Sequence, residues 1–147
     1  MRKILLGLLV LVLMVSFWYV TPDKSKDTQH EATITYDNAT ANTIVVDLPF
    51  PDAVTGKEFT VIGKARGPWY FEASFPVFVL DASGTVLVTA IAQAQSDWMT
   101  NDFVPFEAYI KVPESYIGKA TLLLKKDNPS GRKEHDASIS FPIHIEY

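Results

Sequence analysis

The sequence predicts an all-β fold: a seven-stranded antiparallel sandwich preceded by one apolar N-terminal segment. Three observations carry this. From Thr43 to the C-terminus, apolar and polar residues alternate with a period of two. Turn signals recur about every ten residues, and no stretch of this region keeps a helical period. Residues 4–20, in contrast, form an unbroken apolar run, ILLGLLVLVLMVSFWYV.

That run is long enough, as a helix of about 25 Å, to cross a bilayer at the short end of the usual range. Arg2 and Lys3 precede it and hold its N-terminus on the cytoplasmic side, which sends the rest of the chain outward. Phe17, Trp18 and Tyr19 then fall at the outer interface. Cleavage as a signal peptide needs small residues directly after the apolar core. Here the core ends in three aromatics, and the one Ala-x-Ala triplet, Ala39–Ala41, lies far beyond it. Residues 1–20 are therefore expected to be an uncleaved, single-pass transmembrane signal-anchor. Residues 21–42 are rich in Asp, Lys, Thr, Asn and Ser and are expected to be a polar tether, with Thr33-Ile34-Thr35-Tyr36 as its apolar interruption.

The domain occupies 43–147. Ile44, Val46 and Leu48 line a first strand, and Phe59 and Val61 a second. Trp69, Phe71, Ala73 and Phe75 are expected on the inner face of a third. Pro76 donates no ladder hydrogen bond and marks a bulge or edge before Val77–Leu80 resume. Asp81-Ala82-Ser83-Gly84 closes a hairpin onto Val86, Val88 and Ala90. Val104, Phe106, Ala108 and Ile110 form the fifth strand; Leu122 and Leu124 belong to the sixth. After the turn signature Asn128-Pro129-Ser130-Gly131, the residues Ile139, Phe141, Ile143 and Ile145 line the seventh. Seven short strands in 105 residues match one immunoglobulin-like β-sandwich.

Four blocks sharpen this. GKARGPWYFEASFPVFVLD (63–81), WMTNDFVPFEA (98–108), LLLKKDNPSG (122–131) and FPIHI (141–145), in this order, resemble the immunoglobulin-like domain of bacterial spore-germination and sporulation proteins. The resemblance covers nearly everything from Thr43 to Tyr147. It implies a seven-stranded sandwich on an exported, membrane-linked protein, and it supplies no catalytic or ligand-binding residues to carry over to this chain.

Composition narrows the chemistry. With no cysteine there is no disulfide, thiolate zinc site or thiol nucleophile. Without Arg2 and Lys3, the 13 basic residues fall to 11 against 17 acidic ones, so nucleic acid is not an expected partner. His30, His135 and His144 lack ligand spacing, and no metal or cofactor is expected. Asp97, Asn101 and Asp102 lack the glycine and spaced acids of a calcium loop and are read as turn caps. Glu72 is weighed as a general acid with Asp102 or Glu107, but no second carboxylate sits at a telling spacing. A surface glutamate paired with Arg66 or Lys64 is the preferred reading. Trp69 is read as the core tryptophan of the sandwich. Lys125-Lys126 with Arg132-Lys133 is read as a solvated edge.

No catalytic residue is therefore assigned, and the chain is not expected to be an enzyme. Binding is assigned to the loop from Ser96 to Asp102: Trp98 and Met99 as apolar anchors, Asp102 on the polar rim, and Tyr109 as a neighbouring aromatic. The expected function is a membrane-anchored, extracytoplasmic binding or structural module of the bacterial cell envelope. Its expected partner is an envelope protein or a cell-wall glycan, with a glycan-binding accessory or an envelope-polymer hydrolase as the alternatives.

Overall fold

The structure, a computed structural model, describes residues 33–147. The expected signal-anchor, most of the tether and His30 lie outside the described residues. Among the described residues, no helix is long and apolar enough to cross a membrane.

The fold is all-β. The described residues form nine strands: β1 (Thr35–Asp37), β2 (Ile44–Leu48), β3 (Val54–Thr55), β4 (Glu58–Arg66), β5 (Ser74–Leu80), β6 (Val86–Ala94), β7 (Phe103–Lys111), β8 (Gly118–Lys125) and β9 (Ser138–Ile145). Single 3-10 turns at Gly67–Trp69 and Lys133–His135 complete the described elements. Six strands fall where alternation predicts them, the third starts later than predicted, and β1 and β3 are additional. β1 corrects the tether boundary. Thr35, Tyr36 and Asp37 pair antiparallel with Ser140, Ile139 and Ser138, so the folded unit begins before Thr43. β3 is two residues long and runs parallel to β9, so the sheet is not wholly antiparallel.

The strands form one continuous sheet in the order β1-β9-β8-β5-β6-β7-β4-β2, with β3 beside β9. The sheet curls into two layers, and β6 is the hinge strand. It pairs with β5 from Val86 to Gln93, then Gln93 and Ala94 pair with Glu107 and Phe106 of β7. The orders β2-β4-β7-β6 and β5-β8-β9 reproduce the four- and three-stranded layers of a constant-type immunoglobulin domain.

The core lies between the layers. Ile139, Phe141, Ile143 and Ile145 of β9 are all buried, as alternation requires of a strand with one inner face. Phe75 of β5 meets Phe106 of β7 edge-on with 5.0 Å between ring centroids, and Trp69 and Tyr70 close on Phe75 at 6.2 and 5.1 Å. The Tyr70 hydroxyl donates to the Val104 carbonyl at 2.7 Å. Burial holds this phenol above its ordinary range. Gly63 lets β2 and the core ring come close: a Cβ there would lie 2.2 Å from the Val45 carbonyl and 2.8 Å from the Phe106 ring.

The expected third strand needs correction. β5 starts only at Ser74, and Phe71 is 43% exposed rather than inward. Gly67-Pro68 opens a 3-10 turn, and the chain then doubles back at Glu72 and Ala73. Phe71 and Ser74 exchange backbone hydrogen bonds of 3.0 and 3.1 Å across that turn. Glu72 and Ala73 have φ of 48° and 62°, a pair of left-handed residues as a two-residue hairpin requires. The Gly-Pro signal was present in the sequence; the alternation around it pointed the other way.

Candidate functional site

Strand directions bring four connections to one end of the sandwich: residues 38–43, 67–73, 95–102 and 126–137. Three of the predicted contact residues, Trp98, Met99 and Asp102, sit here. The loop between β6 and β7 is shaped by its own polar residues. Asp97 Oδ1 accepts from the Met99 N–H at 3.0 Å, and Thr100 Oγ1 accepts from the Asp102 N–H at 3.1 Å. Asp97 is thus a turn cap, as read from the sequence. The loop rests on Gly67, whose N–H donates to the Asp102 carbonyl at 3.2 Å.

The four predicted binding residues fall in four environments. Met99 is 77% exposed, a free apolar side chain at the tip. Trp98, beside it, is half-buried and packs against the core, so it partly caps the open end. Asp102 is exposed at the base of the loop. Tyr109 belongs elsewhere. It lies six residues along β7 from Phe103, about 20 Å away at strand rise, on the outer face. There its hydroxyl donates to Glu58, which also takes the Lys111 ammonium. Hydrogen bonds from Lys111 and Tyr109 hold the Glu58 carboxyl below its usual range; in return Glu58 raises both Tyr109 and Lys111. The group is solvent-exposed, so its contribution to stability is small.

Trp69 and Tyr70 are buried, so neither offers an aromatic face to solvent. Trp69 is the core tryptophan the sequence suggested. Glu72 forms no ion pair with Arg66 or Lys64 among the described residues. Those cations lie instead over the Phe103 ring, at 4.1 and 5.4 Å from its centroid. Among the described residues, no three His, Asp or Glu side chains stand together as a metal site.

One concavity was missed by sequence reasoning. A cleft of about 350 Å³ opens between the end of β4 (Arg66), the first turn (Trp69), the 95–102 loop (Asn101) and the long β8–β9 connection (Lys126, Glu134, His135). That volume is within the range of small-ligand sites. A second, shallower depression of about 290 Å³ adjoins it, lined by Trp98 and Met99 and sharing Pro68 and Asn101 with the first.

The cleft's wall is held in place by hydrogen bonds. Asn38 Nδ2 donates to the Asp136 carbonyl at 2.8 Å, tying the β1–β2 connection to the β8–β9 loop. Asn128 Nδ2 donates to the Arg132 carbonyl at 2.7 Å and to Asp136 Oδ1 at 2.8 Å, and Ser130 Oγ lies 2.9 Å from His135 Nδ1. The turn read at Asn128–Gly131 closes with a 3.1 Å bond from the Gly131 N–H to the Asn128 carbonyl. Arg66 donates through Nε to the Asn42 carbonyl at 3.1 Å and through a terminal nitrogen to the Asn101 carbonyl at 3.3 Å. Trp69 is 3% exposed, and its indole N–H finds no acceptor among the described residues. A buried donor left without a partner costs about 1–3 kcal/mol.

One signal could have found this site. The β8–β9 connection is twelve residues long, against two to five for an ordinary hairpin loop. Lys125, Lys126, Arg132 and Lys133, read as a solvated edge, belong to it or lead into it.

A family model described as the immunoglobulin-like domain of bacterial spore germination matches residues 43–132, which is more than half of the chain. No curated protein and no solved structure matches the chain.

Proposed function

The chain belongs to the family of immunoglobulin-like domains of bacterial spore germination, and from that premise we propose a binding and structural module of the cell envelope that works through the loop end of its sandwich. In this reading residues 1–20 anchor the chain in the cell membrane, with the N-terminus cytoplasmic, and the domain meets its partner outside. The germination role in the family description enters only as a contact made at the envelope.

One observation carries the reading: four connections distant in sequence enclose a hydrogen-bonded cleft of about 350 Å³ beside the exposed Met99. A rigid sheet holds such loops still, which reduces the ordering cost of binding. By fold analogy alone, the β4–β5 and β8–β9 connections occupy the places of the B–C and F–G loops that antibody variable domains use for recognition. A protein partner fits better than a glycan platform. Stacking on sugars calls for paired exposed rings, and Trp98 is half-buried while Tyr109 stands on a different part of the molecule. We take the module to be non-catalytic, since Glu72 sits alone on an exposed turn.

The chain contains no cysteine, so a single introduced thiol is unique. Met99→Cys in the full-length protein, labelled with a short photo-crosslinker, is expected to capture a partner in intact membranes. Ser83→Cys, in the β5–β6 hairpin at the opposite end, is expected to capture none. Equal capture from both positions, or none from Met99→Cys, would sink the proposal. A membrane-impermeant maleimide should also label the cysteine at position 99 on intact spheroplasts; labelling only after lysis would overturn the outward topology.

A further inference from the structure

The cleft offers more donors and more positive charge than the chain itself uses. Arg66 commits Nε and one terminal nitrogen to backbone carbonyls and leaves the other terminal nitrogen without a partner among the described residues. Lys126 makes no ion pair among the described residues, and neither does Glu134, the carboxylate of the lining. Leaving His135 aside, two cations and one anion give the lining a single positive charge. The Asn101 side chain adds an amide, and the Trp69 ring lines the cleft with its own indole N–H buried and without an acceptor among the described residues. Pro68 and Ala137 supply an apolar flank.

We propose that this cleft is a binding site for the carboxylate of a small acid or of a peptide chain end. The proposal rests on the loop-end reading above and names its ligand chemistry. Arg66 and Lys126 supply the opposing charge, charge-assisted hydrogen bonds being the stronger kind. A singly charged carboxylate balances the lining, whereas a phosphate dianion would leave excess negative charge. The Asn101 amide meets the polar groups next to the carboxylate, and the Pro68–Ala137 side receives a methyl group or the face of a ring. The hydrogen bonds from Asn38 and Asn128 hold the β8–β9 wall before any ligand arrives.

The test is a titration of the isotope-labelled full-length protein in detergent micelles, followed through the Trp69 indole N–H resonance, assigned with Trp18→Phe and Trp98→Phe variants. Three probes are used: acetyl-trialanine with a free C-terminus, the same peptide as its C-terminal amide, and glucuronate. A dissociation constant of about 1 mM suits ligands of this size. The free acid is expected to shift the resonance and the amide is not. Lys126→Gln, which removes no internal partner, is expected to weaken the acid about tenfold, equivalent to 1.4 kcal/mol. A shift with glucuronate alone supports the site and identifies an acid carried on a sugar ring as the source. Equal shifts from acid and amide, or no shift from either acid at about ten times that constant, would overturn the proposal. If the acids fail while Met99→Cys still captures its partner, the carboxylate assignment falls and the loop-end reading stands; if capture fails as well, both fall.

Discussion

Gly67 and Thr100 touch so closely that no side chain fits between them: a Cβ at position 67 would lie 1.7 Å from the Thr100 carbonyl oxygen and 2.5 Å from that of Trp98. Both obstacles are backbone, so the 95–102 loop must move to admit a methyl group. Gly67→Ala is expected to destabilise the domain by about 1–3 kcal/mol, the usual range for overpacking, and to lower crosslinking from position 99. An unchanged melting temperature in thermal denaturation would contradict this packing.

The turn at Glu72-Ala73 holds two non-glycine residues in the left-handed region, each of which carries strain of about 1–2 kcal/mol. Ala73→Gly is expected to raise stability by up to about 1 kcal/mol, and the Asn-Gly pair favoured by such turns to raise it further. Urea denaturation curves of the variants test this. A loss of stability would mean that the Ala73 side chain contributes packing that outweighs its strain.

Phe71 and Phe106 separate a correct inward assignment from an incorrect one. Phe106 is buried against Phe75, and Phe106→Ala is expected to cost about 3–5 kcal/mol. Phe71 is largely outside the core, so Phe71→Ala should cost under about 1 kcal/mol. Similar melting temperatures for the two variants would refute the placement of the β4–β5 connection.

Trp98 and Met99 should part in the same way. Trp98→Ala removes a half-buried ring and is expected to cost about 2 kcal/mol, below the figure for a fully buried one. Met99→Ala is expected to leave thermal stability unchanged, because its side chain meets solvent. Partner capture from a cysteine at Asn101 should nevertheless fall in the Met99→Ala background. Undiminished capture would remove Met99 from the contact surface.

Asp81 makes the β5–β6 hairpin sensitive to acid. Its carboxylate accepts from the Ser83 hydroxyl at 2.6 Å and from the Ser83 and Thr85 N–H groups at 2.8 and 2.9 Å, which lowers its pKa below the ordinary 3.8. A folded-state value below the unfolded one favours the charged form on folding. The stabilisation is therefore complete above 3.8 and is lost as pH falls through the lower folded-state value. Chemical denaturation between about pH 2 and 5 should show a shallower pH dependence for Asp81→Asn than for the parent. Identical slopes would show that other carboxylates carry the effect.

The sequence by itself determined the class of fold and the place of six of the seven expected strands, because the two faces of a strand are written into alternate residues and need no distant partner to be read. Phe141 and Ile143 point inward for that reason alone, as does Phe106. The Asp81–Gly84 and Asn128–Gly131 turns were legible for a similar reason: Asp and Asn bond their own backbone a few residues on. Tertiary structure decided what local pattern does not encode. Thr35–Asp37 became a strand only because the edge of β9 was free to pair with it. Phe71 turned outward because the chain doubles back at Glu72-Ala73, which overrode an alternating pattern. Tyr109 parted from Trp98 because β7 carries it along the sheet. The cleft follows the same logic, since Arg66, Asn101, Lys126 and His135 meet only after the curl through β6 has brought four connections to one end.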